Sequence, residues 1–270
     1  MKTLLLSLLF ILSLEAKERV VSLSPSITEI IYALNAGESI VATSSYSLYP
    51  PEAQELPVVG GYTNPSIEKI IAQRPSLVVG QSFNADTLKK LNYFHIQTLQ
   101  LKLLTLQNIK DSIQILGTKL KHQEEATQLT NKIKKSIKAI KKVEQSHSVL
   151  IVYGLKEDLR SGIYIAGHNI FFEDIIKLSG HTNAYTQKST SQPVLNYENI
   201  IAINPDQIII LHSHATEPNV DVEKSLQNWY HLPINAAKNA KISIVDEDYL
   251  HIPSHRVALT IERLSKEMHD

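Results

Sequence analysis

Two stretches of this chain, 130 residues apart, carry the same pattern, and this repetition constrains the fold more than any other feature. Ser66-Ile67-Glu68-Lys69-Ile70-Ile71-Ala72-Gln73-Arg74-Pro75 leads into Ser76-Leu77-Val78-Val79, and Asn196-Tyr197-Glu198-Asn199-Ile200-Ile201-Ala202-Ile203-Asn204-Pro205 leads into Asp206-Gln207-Ile208-Ile209. Each copy reads as a short amphipathic helix stopped by its Pro. The apolar, β-branched run that follows is of the kind buried on both faces of a parallel sheet. One such unit in each half predicts two Rossmann-like α/β lobes with mostly parallel sheets and a ligand cleft between them. Around the first copy, residues 20–23, 40–43 and 77–79 read as strands and 26–34 as a helix capped by Ser24 or Ser26. Around the second, residues 149–153, 207–211 and 242–245 read as strands and 169–178 as a helix closed by Gly180.

The segment between the lobes, residues 105–146, contains no Pro and a single Gly. Ala126, Leu129, Ile133, Ile137 and Ile140 recur at spacings of three and four, so one helix face is buried. Lys132, Lys134, Lys135, Lys138, Lys141 and Lys142 fall on the other face, which reads as solvated. An unbroken helix over residues 123–145 would be about 34 Å long at 1.5 Å per residue. A strut of that length joins the lobes and limits how far they swing. The expected organisation is a first lobe over 17–104, a connecting long-helix region over 105–146 and a second lobe over 147–270.

Residues 1–16 read as a secretory signal peptide: one cation at Lys2, an apolar run from Leu4 to Leu14, and the small Ala16 before charged residues. The apolar run is too short for a membrane span, which needs about 20 residues. Export to the periplasm follows. With no Cys anywhere in 270 residues, there is no thiolate nucleophile, no disulfide and no lipid-modified N-terminal Cys. Lys plus Arg and Asp plus Glu number 27 each, which excludes the cationic excess of a nucleic-acid binder. A monomer free in the periplasm is expected.

The motifs Arg19-Val20-Val21-Ser22-Leu23-Ser24-Pro25-Ser26-Ile27-Thr28-Glu29 and Ser44-Ser45-Tyr46-Ser47-Leu48-Tyr49-Pro50-Pro51-Glu52-Ala53 resemble a known family. It comprises the periplasmic binding proteins of ABC importers whose lobes are joined by one long helix and which carry cobalamin, haem and iron–siderophore complexes. The second motif is especially similar to the cobalamin-binding member. The resemblance implies no catalysis and no intrinsic cofactor; the bound ligand would be a corrinoid or another metal chelate. It implies that Glu68 and Glu198, one per lobe, dock into arginine pockets on the permease subunits. Tyr46 matches a corrin-contacting Tyr, Tyr62 lies where that member has Trp, and Asp248 and Tyr249 match an Asp–Trp pair. Gln81 and Gln192 replace two further Trp residues, and Tyr49 belongs to the same ligand-facing loop.

Histidines gather in the second half, and His212-Ser213-His214 directly follows a predicted strand, where alternate residues share a face. His212, His214 or His251 are candidates to coordinate the metal of a haem, a ferric complex or a small nickel or cobalt chelate. Tyr46 or Tyr62 could do so in a haem-binding version. The sole Trp, Trp229, is expected to pack in the core of the second lobe. No Gly-x-Ser-x-Gly elbow and no His-Glu-x-x-His occurs, which leaves an exported hydrolase a remote alternative.

Overall fold

A computed structural model describes residues 18–160, 162–187, 192–213 and 220–269. The expected signal segment, 1–16, lies outside them. In the first lobe, β1 (Val20–Ser22), α1 (Pro25–Ala33), β2 (Ile40–Thr43), α2 (Ile67–Ala72), β3 (Leu77–Gln81), α3 (Ala85–Tyr93) and β4 (Gln97–Leu101) build a parallel sheet of order β2-β1-β3-β4. The helices α4 (Leu106–Lys119) and α5 (Gln123–Ala139) follow and pack on each other. The second lobe contains β5 (Ser148–Tyr153), β6 (Ile163–Ile165), α6 (Phe171–Leu178), β7 (Thr182–Asn183), β8 (Val194–Leu195), α7 (Tyr197–Ile203), β9 (Gln207–Leu211), α8 (Val222–Tyr230), α9 (Asn235–Lys238), β10 (Ile242–Val245) and α10 (Val257–His269).

The duplication is structural. Strands β7, β5, β9 and β10 are parallel neighbours in that order, the second lobe's counterpart of β2-β1-β3-β4. The spacing of 130 is kept at each landmark. Ser66 caps α2 by accepting from Lys69 N, and Asn196 caps α7 by accepting from Asn199 N. Arg74 and Asn204 both end their helices at positive φ, 48° and 50°. β3 and β9 start at Leu77 and Gln207. The second lobe adds two short strands on the far side of β5, β6 and β8, and both pairings there are antiparallel.

Each sheet sorts its residues by the two-residue period of a strand. Val21, Leu23 and Val78 pack under Ile70 of α2 and Leu88 and Leu91 of α3. Leu150, Val152, Ile208 and Ile210 pack with Ile200 of α7 and Trp229 of α8, so the sole Trp is a core residue of the second lobe as expected. The opposite faces share one core: Val20, Leu77 and Val79 join Ile151, Ile209 and Val245 through α1, α4, α5, α6 and α10. Ala126, Leu129 and Ile133 of α5 are buried there, and Ile137 and Ile140 are half-buried against it, as the spacing predicts.

Residues 105–146 fold as two helices, and α5 is about 25 Å long at 1.5 Å per residue. It ends at Ala139, short of residue 145. The chain there must turn into β5, and Val143 N donates to the carbonyl of Ser179 in the second lobe instead of continuing the helix. The lobes also meet directly: Phe171 N donates to Leu104 O at 2.6 Å, and Asp174 accepts from Leu106 N at 2.8 Å, capping α4 across the junction.

Candidate ligand-binding cleft

Ligand-facing loops in parallel α/β sheets lie beyond the carboxyl ends of the strands. At that edge of the first lobe, Ser22 and Thr28 of the first motif, Ser47 of the second and Thr43 just before it form a buried hydroxyl network. Thr28 Oγ1 lies 2.8 Å from Ser22 Oγ and 2.8 Å from Thr43 Oγ1, and Thr43 Oγ1 donates to Ser47 Oγ at 2.7 Å. Ser24 caps α1 by accepting from Ile27 N. Buried hydroxyls that satisfy one another hold a backbone in a single place. The loop they hold carries Tyr46 at φ 65° with the residue 62% exposed, an uncommon backbone for a bulky residue that also displays its ring to solvent. Observed strain of this kind is a pointer to a ligand loop.

Sequence reasoning missed the residue at the centre of the site. Arg256, whose side chain is 9% exposed, connects both lobes. Its Nε and Nη2 donate to Glu29 of α1 at 3.0 and 2.5 Å, and its Nη1 donates to both oxygens of Asp248 at 3.2 and 3.0 Å. Ser254 Oγ also donates to Glu29. The guanidinium sits 4.0 Å from the Tyr49 ring centre and 5.8 Å from that of Tyr249, within cation–π range. Burial pushes the Glu29 carboxyl up, while hydrogen bonds from Arg256 and Ser254 pull it back. Asp248 differs, with its side chain 72% exposed. Three predicted residues, Tyr49, Asp248 and Tyr249, are thus gathered on one cation that spans the lobes. Glu29 and Arg256 are 227 residues apart, and no local pattern marks the pair; the only signal was a carboxylate at an apolar-face position of the first motif.

Tyr62 pairs edge to face with Phe83, ring centres 5.8 Å apart, and both rings are exposed. Gln81 Nε2 donates to Ser24 Oγ at 2.9 Å, tying the β3 loop to the α1 cap, and Asn84 holds Tyr62 O. Gln192 is exposed in the second lobe. His212 is 3% exposed, His251 is half-buried with its ring 6.0 Å from Tyr153, and His214 lies outside the described residues. Among the described residues, no three His, Asp or Glu side chains gather to hold a metal ion.

Glu68 and Glu198 both sit in the first turn of their helix, at equivalent positions, exposed. Helices α2 and α7 each run back to the start of the following strand, so their N-termini lie toward the carboxyl edge that bears the ligand loops. The Glu68 carboxyl is held below its ordinary range by helix N-terminal backbone and by Ser66 Oγ, 2.8 Å away. A separate open cavity of about 440 Å³ on the second lobe is lined by Glu157, Arg160, Tyr197, Lys224, Asn228 and Leu232. Its charges neutralise one another, with Lys224 and Glu157 paired at 2.7 Å and Arg160 on Asp158.

Residues 20–249 match the periplasmic binding protein family. The chain belongs to that family. A vitamin B12-binding protein of Vibrio vulnificus strain CMCP6 is 30% identical over 270 residues, covering 98% of this chain and 96% of its own length. One from Pectobacterium atrosepticum is 27% identical, covering 93% and 88%. An uncharacterised ABC transporter substrate-binding lipoprotein of Bacillus subtilis is also 27% identical, covering 93% and 80%. Among solved structures, the apo periplasmic haem-binding protein of Roseiflexus sp. RS-1 superposes with TM-score 0.79 at 24% identity over 94% of this chain and 98% of that one. The vitamin B12-binding protein of Vibrio cholerae gives 0.72 at 23% identity over 93% and 96%. These two structures establish a common fold. In this periplasmic binding protein, no described helix is long and apolar enough to cross a membrane.

Proposed function

We propose that this protein captures a corrinoid, cobalamin foremost, in the cleft between its lobes and delivers it to the membrane-spanning subunits of an ABC importer. The observation that carries the reading is the set of aromatic rings at the carboxyl edge, Tyr46, Tyr49, Tyr62 and Phe83 from one lobe and Tyr249 from the other. Rings disposed in this way suit a large, flat ligand by stacking and dispersion. Relatives named as vitamin B12-binding proteins, alignable over nearly the whole chain, support the corrinoid. The relative named as an ABC transporter substrate-binding lipoprotein supports the importer. On this reading residues 1–16 direct export. The reading assigns it no catalysis.

Haem is the second reading, favoured by the exposed phenols of Tyr46 and Tyr62 as axial ligands. Calorimetric titration with cyanocobalamin and with haemin decides between them. The corrinoid reading expects cyanocobalamin to bind more tightly, with about tenfold loss in Tyr46→Ala from one lost stacking contact. It expects little change in His212→Ala. Tighter binding of haemin, or no binding of either, would sink it.

For docking, Glu68 and Glu198 would engage cationic pockets, one per lobe, on a twofold-symmetric permease. Their place toward the ligand edge would set the cleft mouth against the membrane. Reversing both to Arg should abolish uptake while ligand affinity stays within about threefold, since losing one member of a docked charge pair costs about 2–5 kcal/mol. Undiminished uptake by the double variant would remove these residues from the interface.

A further inference from the structure

Among the segments that follow β1, β2, β3, β9 and β10 at the ligand edge, up to the next helix, the only Lys or Arg is Arg256. That guanidinium is not offered to a ligand. It is buried, both oxygens of Glu29 occupy Nε and Nη2, both oxygens of Asp248 occupy Nη1, and Tyr49 covers it at 4.0 Å. The carboxylate beside it is the exposed group. Among the described residues that follow β5, both cations are engaged: Lys156 donates to the Gly162 carbonyl and lies 5.3 Å from the Tyr164 ring centre, and Arg160 is bidentate on Asp158. Lys102 is exposed at the end of β4, the edge strand.

We propose that Asp248, fixed by Arg256, is a charge filter: the cleft accepts ligands whose rim presents neutral N–H donors and rejects ligands whose rim carries carboxylates. The cluster of Glu29, Arg256 and Asp248 holds two carboxylates and one guanidinium. Its exposed part is acceptor-only when ionised, so a carboxamide can donate to Asp248 where a carboxylate is repelled. Unpaired acceptors brought together in a closed site cost affinity on both sides. The rim of a corrinoid bears carboxamides, whereas haem and many ferric chelators bear carboxylates. The filter deepens the proposed function and rests on its premise that the cleft takes a metal chelate. It supplies a reason, within this chain, for the corrinoid over haem. Arg256 acts in it as a positioning residue, through Asp248.

The test compares cyanocobalamin with its monocarboxylic acids, each with one rim carboxamide hydrolysed, by calorimetric titration at neutral pH. At least one acid isomer should bind the native protein ten or more times more weakly than cyanocobalamin, and Asp248→Asn should bring that ratio within threefold. Arg256→Lys should lower the ratio while cyanocobalamin still binds, because the carboxylate is no longer held in place; a purely structural Arg256 would leave the ratio intact. Equal affinity for the amide and every acid isomer would overturn the filter alone, as would a ratio that persists in Asp248→Asn. Haemin bound in preference to cyanocobalamin would overturn both the filter and the corrinoid reading.

Discussion

Four carboxylate oxygens and two tyrosine rings converge on the guanidinium of Arg256. Removing one partner of a buried pair leaves the other charge without compensation, which costs about 3–5 kcal/mol. Arg256→Ala should therefore lose about that much stability in urea unfolding, and Arg256→Lys distinctly less. Its neighbour His255 is half-buried beside the positive charges of Arg256 and Lys132, and desolvation above all depresses its pKa to about 4. An unfolded His titrates near 6.5, so the folded state binds fewer protons between those values. The contribution of His255 is then fully present above about pH 6.5 and is lost as pH falls toward 4. His181, whose pKa burial also lowers, acts in the same direction. His255→Leu should flatten the fall in urea midpoint between pH 7 and pH 5; an unchanged fall would assign that acid sensitivity to other groups.

At the scale of elements, residues 66–79 and 196–209 announced their own equivalence, and caps, helices, turns and strands fall where the repeat predicts. Legibility was high because local chemistry decides these units: a capping side chain, an apolar stripe, a Pro and a β-branched run. It was low where tertiary context decides. The strands β6 and β8, three and two residues long, are too short to show a period. The end of α5 at Ala139 carries no breaker, and the chain beyond it is held by Val143 N donating to Ser179 O. In the candidate site, the resemblance names Tyr49, Asp248 and Tyr249, which the structure gathers around Arg256, while nothing in the sequence marks Arg256 itself, since its partner lies 227 residues away. The repeat also exposes a local flaw. Asn204 tolerates its left-handed backbone, but Arg74 holds the same conformation at φ 48° without the side chain for it. A left-handed non-glycine residue costs about 1–2 kcal/mol, part of which glycine returns through its greater unfolded-state freedom. Arg74→Gly should stabilise by up to about 1 kcal/mol and Arg74→Val should destabilise, read from urea midpoints.

The two lobes are organised as one mechanical body. Val20 and Val79 of one sheet and Ile151 and Ile209 of the other belong to a single core that runs through α4, α5, α6 and α10, and Glu29 with Arg256 ties the lobes again at the ligand edge. Swinging one lobe open would expose shared apolar surface at about 25 cal/mol per Å² and would pull apart a buried ion pair. Wide hinge closure is therefore disfavoured, and on the proposed reading recognition rests on side chains already in place, with the hydroxyl network behind Tyr46 and the clamp on Asp248 as the means. Two measurements follow. Calorimetric unfolding should give one transition whose calorimetric and van't Hoff enthalpies agree, because each lobe's own apolar cluster is smaller than the core the two lobes share. Solution scattering should give a radius of gyration near 18 Å, the expectation for a compact chain of this length, and saturation with ligand should leave it nearly unchanged. Two separated melting transitions, or a large contraction on binding, would mean that the shared core yields and that the cleft closes by rotation.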